Sequence, residues 1–74
     1  MLYSATITIR EAHEKLADYL AGIETKRERS TVKVGRAGAQ VIIDVEAKDA
    51  TALRAALNSV TQSLSVFETT QQNG

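Results

Sequence analysis

Val41-Ile42-Ile43-Asp44-Val45-Glu46-Ala47-Lys48-Asp49-Ala50-Thr51-Ala52-Leu53-Arg54-Ala55-Ala56-Leu57-Asn58-Ser59-Val60 changes its hydrophobic period in mid-stretch. Up to Ala47 the period is two. Val41, Ile43, Val45 and Ala47 share one face, Gln40, Asp44 and Glu46 the other, with Ile42 as the exception. That alternation predicts a half-buried strand over 39–47. From Leu53 onward the period is helical. Leu53, Ala56, Leu57, Val60, Leu64 and Phe67 form one apolar stripe. Asp49 stands between the two as an N-cap, its carboxylate at the positive helix end.

Working outward, residues 2–9 again alternate. Tyr3, Ala5, Ile7 and Ile9 oppose Ser4, Thr6 and Thr8, which predicts another strand. Residues 11–23 carry Ala12, Leu16, Tyr19, Leu20 and Ile23 at helical spacing, with Gly22 placed for a C-cap. Residues 24–30 contain no apolar side chain and read as a loop. Val32 and Val34 open the middle strand, and Gly35-Arg36-Ala37-Gly38 is turn chemistry that makes a hairpin of the last two strands. The expected order is β-α-β-β-α. The expected fold is α+β, a two-layer sandwich of a three-stranded antiparallel sheet with two helices on one face. One domain spans 1–68, and 69–74 reads as a polar, frayed tail.

The chain has 74 residues, nine Lys+Arg against nine Asp+Glu, no cysteine and one histidine. A lone domain this small buries only about 60% of its unfolded surface, so association is expected to supply the rest. No cysteine means neither disulfide framework nor Cys-based zinc site. No run of about 18 apolar residues exists for a membrane span. The first residues lack signal-peptide pattern, so a cytoplasmic protein is expected.

No catalytic constellation emerges. Glu11 and Glu14 are spaced one helical turn apart, but solvated helix charges look the same. His13 has no second ligand with which to complete a metal site. No serine has a histidine partner in useful context. Neither enzyme activity nor a cofactor or metal is expected. Lys26, Arg27 and Arg29 form a basic cluster able to neutralise phosphates, although no aromatics are interleaved to stack bases. With Lys33 and Arg36 along one edge, this supports the alternative reading of a small RNA-binding α+β domain. On the last helix, Ala52, Ala55, Ser59, Ser63 and Val66 form a face of mostly small residues beside the core stripe, with Ala52, Ala55 and Ser59 the expected partner-binding positions, and Ala17 and Ala21 offer the same on the first helix. Such stripes let a partner helix approach closely.

The run Val45–Ser59 resembles the signature of the Pcc (CTAG/Pcc) family, most of all in Asp49 and in Leu53-Arg54-Ala55-Ala56-Leu57-Asn58-Ser59. Arg29 ahead of the middle strand and the short glycine hairpin fit as well. The resemblance implies the small dimerisation subunit of KEOPS, the complex of archaea and eukaryotes that makes threonylcarbamoyladenosine beside the anticodon of tRNA. In that family the chemistry belongs to a larger metal- and ATP-dependent transferase subunit, which the small subunit binds through its helices. The implied partners are a second copy or a paralogous subunit, the transferase subunit, and tRNA weakly or through the complex. The chain departs from the family in having no proline around the first helix and a less bulky segment at Val60–Leu64. Those departures are why a paralogous partner stands beside self-pairing.

Overall fold

The computed structural model describes residues 1–73. Its elements are β1 (Tyr3–Ile9), α1 (Leu16–Ala21), β2 (Thr25–Lys26), β3 (Ser30–Ala37), β4 (Gln40–Ala47) and α2 (Ala50–Asn73). The sheet runs β1-β4-β3-β2, every neighbouring pair antiparallel. The three long strands and two helices are those expected from the alternating and helical periods. In the β1–β4 ladder Tyr3 faces Ala47 and Ile9 faces Val41; in the β3–β4 ladder Val32 faces Val45 and Val34 faces Ile43. Apolar residues therefore meet across strands on one face, which both helices cover. Val41, Ile43, Val45, Ala47 and Val32 are buried there with Leu16, Leu20, Val60 and Phe67. The opposite face stays polar, where the Thr6 hydroxyl donates to Asp44 at 3.0 Å.

Four local expectations need correction. The first helix is not 11–23 but six residues long. Glu11 has φ 51°, in the left-handed region that a helix interior excludes. The Ala12 N–H donates to the Ala39 carbonyl at 2.9 Å, which ties this segment to the β3–β4 turn. The Lys15 N–H donates to His13 Nδ1 at 3.1 Å instead of to a helical carbonyl. Gly22 does close the helix, but at φ −70°, ψ −15°, so its freedom to adopt positive φ is not used. The segment 24–30 is not all loop, because Thr25 and Lys26 pair with Val32 and Thr31 as a two-residue edge strand.

The hairpin turn is narrower than its four-residue signal. Gly35, Arg36 and Ala37 continue β3, and only Gly38 and Ala39 connect it to β4. Gly38 has φ 62° and no other turn residue is positive, the pattern of a two-residue turn with glycine first. Finally, α2 continues through residues 69–73 of the expected polar tail, and Gly74 lies outside the described residues. There the Thr69 and Thr70 hydroxyls donate to the carbonyls of Ser65 and Val66, each at 3.0 Å.

Candidate partner-binding site

At 1.5 Å per residue the 24 residues of α2 span about 36 Å, whereas α1 spans about 9 Å. The short helix reaches only the C-terminal half of the long one, where Tyr19 tilts against Phe67 at a centroid distance of 5.1 Å. Among the described residues, no helix covers the β3 side beside the N-terminal half of α2. The result is a groove of about 490 Å³. One wall is the small-residue flank of α2, where Ala52, Ala55, Ser59 and Ser63 carry nothing long. The other wall is Ile23, Val32 and the Arg27–Ser30 turn. Small side chains at i, i+3 and i+7 are what allow a guest helix to come within about 8–10 Å of α2.

The structure thus gathers two sets of residues that sequence reading kept apart. Ala52, Ala55 and Ser59 line the same groove as Arg27 and Arg29. Lys26 lies outside it, on β2. Ala17 and Ala21 do not form the second wall. Ala17 packs half-buried against the core and Ala21 is exposed on the short α1. The physical reason is the truncation of the first helix, which leaves these alanines beside the wrong half of α2. Ser63, on the same small-residue face of α2, also lines the groove as that face led us to expect, whereas Ile23 and Val32 come from outside α2 and carried no sequence signal as site residues.

The motif residues fall into separate roles. The Asp49 carboxylate accepts the Ala52 N–H at 2.8 Å and so caps α2. Leu53 packs half-buried against the core. Arg54 and Asn58 are exposed, and the Asn58 carbonyl accepts the Thr61 hydroxyl at 3.1 Å. A shallower cleft at the foot of the sheet brings Arg27 and Arg29 next to Lys48. The backbone fixes this corner: the Arg27 N–H donates to the Ser30 carbonyl at 2.8 Å and the Lys48 N–H to the Arg29 carbonyl at 3.0 Å. Glu11, His13 and Glu14 are all exposed, and the first two border a different pocket, against Phe67. Among the described residues no group of three or more His, Cys, Asp or Glu side chains is placed to hold a metal ion.

Residues 6–72 match the family model described as Transcription factor Pcc1. The chain belongs to this family. It is the family of the KEOPS subunit Pcc1, as the motif around Asp49 and Leu53–Ser59 led us to expect. Neither the curated proteins nor the solved structures yield a match. The Pcc1 match runs from β1 into the last turn of α2, so it takes in both walls of the groove. The Pcc1 family is one of small accessory subunits. Among the described residues no helix is long and apolar enough to cross a membrane.

Proposed function

We propose that this Pcc1-family chain is a non-catalytic assembly subunit of the tRNA threonylcarbamoylation complex. It pairs with a second copy, or with a paralogous subunit, and receives a helix of the transferase subunit. The observation that carries this reading is the groove beside the N-terminal half of α2. Its α2 wall is lined by Ala and Ser, small side chains that let a guest helix approach closely. The opposite wall carries Arg27 and Arg29 with Glu28 between them, where the two arginines can meet carboxylates on the guest.

Ala55 is the position to test. It is exposed and lies on the groove wall, away from the core stripe. Ala55→Arg fills the close-approach point with a long charged side chain, while Arg keeps high helix propensity. The expected outcome is a melting temperature within a few degrees of the unsubstituted chain. Affinity for the transferase subunit falls more than tenfold, about 1.4 kcal/mol. Calorimetric titration beside a melting curve reads both. Unaltered binding places the docking face elsewhere.

The second reading is direct RNA binding, and the observation favouring it is the Arg27–Arg29–Lys48 corner. Phosphate contacts there would show as a steep salt dependence of RNA affinity in the isolated protein. Sub-micromolar, strongly salt-dependent binding would favour this reading over an assembly role.

A further inference from the structure

The pocket against Phe67 has no part in either reading above. It lies where the C-terminal half of α2 meets the end of β1 and the segment before α1, and its volume is about 290 Å³. That is just under the usual size of a drug-sized site, room for a small molecule. Its floor is apolar and continuous with the core: Leu16 and Phe67 are buried and Ile9 is half-buried. Its rim is Glu11, His13 and Glu68, all exposed. Among the described residues no Lys or Arg lines it. The charge is thus opposite in sign to that of the arginines in the Ala55 groove.

Backbone bonds hold the rim in place. The Ala12 N–H donates to the Ala39 carbonyl at 2.9 Å, and the Leu16 N–H to the His13 carbonyl at 2.9 Å. The Lys15 N–H donates to His13 Nδ1 at 3.1 Å, and the His13 ring stands edge-on to Phe67. Glu11 sits among these bonds at φ 51°. Glycine adopts that conformation at no steric cost, whereas a glutamate is strained there. The turn by itself therefore has no use for a long carboxylate side chain. Strain of this kind collects where a side chain has work other than folding.

An apolar floor under a rim of carboxylates suits a ligand that has both parts. A hydrocarbon body leaves water on the floor, and a positive head stays at the rim, half hydrated, beside Glu11 and Glu68. The aromatic wall also favours a cation. An anion would meet two like charges, and a neutral molecule would forfeit both ion pairs. We propose that this pocket binds a small organic cation, an aryl- or alkylammonium ion, with its body against Leu16 and Phe67 and its ammonium at Glu11 and Glu68. A lysine side chain from a protein partner carries the same charge on a thin methylene stem, which leaves much of the floor unfilled. A free molecule is the better occupant. The proposal does not depend on the assembly role.

The test follows amide chemical shifts of the full chain during titration with phenethylammonium, phenethyl alcohol, hydrocinnamate and Nα-acetyl-lysine amide. Phenethylammonium is expected to shift Leu16, Leu64 and Phe67 saturably. An exposed ion pair is worth a few-fold in affinity, so two should make the ammonium bind about tenfold more tightly than the alcohol. Hydrocinnamate should bind more weakly than either, and the lysine derivative more weakly than phenethylammonium. Glu68→Gln and Glu11→Gly should each lower phenethylammonium affinity about threefold. Glu11→Gly should do so with a melting temperature no lower than that of the unsubstituted chain, because glycine relieves the positive φ. Absence of saturable shifts at this pocket overturns the proposal, as does an alcohol that binds as tightly as the ammonium. Affinity unchanged in both variants overturns it too. A lysine derivative that binds at least as tightly as phenethylammonium overturns the free molecule as occupant and gives the pocket to a protein side chain.

Discussion

Asp49 joins two elements with one carboxylate. Its 2.8 Å bond from the Ala52 N–H satisfies one of the first N–H groups of α2, which have no partner inside the helix. Asp49→Ala is therefore expected to cost about 1 kcal/mol, the usual value for an N-cap. Asp49→Asn should retain most of that stability, since the amide oxygen can accept the same bond. Urea titration of the two variants measures the difference. An equal loss in both would assign the effect to charge rather than to the bond. Asp49 was legible because a short carboxylate followed by a 3.6-residue period has one common use. His13 was legible only as a lone histidine. Its bond from the Lys15 N–H is local, but its edge contact with the Phe67 ring at 5.7 Å depends on where α2 lies.

At the scale of elements, the strands and α2 follow their periods because each buries a face on the same sheet. The segment 11–23 has the period too, yet only Leu16–Ala21 is helical. A single long-range bond, Ala12 to the Ala39 carbonyl, competes with the first helical turns and no local signal announces it. The basic cluster changes meaning at this scale as well. Lys26 is held in the edge strand, whereas Arg27 and Arg29 belong to a tight turn that is a wall of the groove. Replacing Lys26, Arg27 and Arg29 by Ala should lower the tRNA affinity of the assembled complex. It should also flatten the salt dependence by roughly one slope unit per lost phosphate contact. Filter binding across a salt series measures it. A lower affinity with an unchanged slope would mean that the arginines serve the protein partner instead.

The whole molecule is a sheet with one covered face and a helix longer than the strands beneath it, 41 × 24 × 16 Å overall. Its buried apolar cluster draws on nearly every element, but β1 contributes only half-buried residues to it. Stability is then expected to depend on concentration. If the native state is a dimer, its melting temperature should rise by roughly a few degrees for each tenfold increase in protein. Differential scanning calorimetry over a hundredfold range would show it. A constant melting temperature would mean that the monomer carries the whole stability.

By itself the sequence determined the strand faces, the identity of the core stripe, the cap at Asp49 and the family motif. Each of these is a local regularity, set by the two periods of the backbone or by a short string of residues. Only the tertiary structure decided where the first helix begins, that Thr25 and Lys26 join the sheet, and that Ala17 and Ala21 stand away from Ala52, Ala55 and Ser59. Those outcomes turn on bonds and crossings between residues far apart in the chain. Periodicity says which face an element buries; it is silent on which neighbour comes to cover it and how far along the element that neighbour reaches.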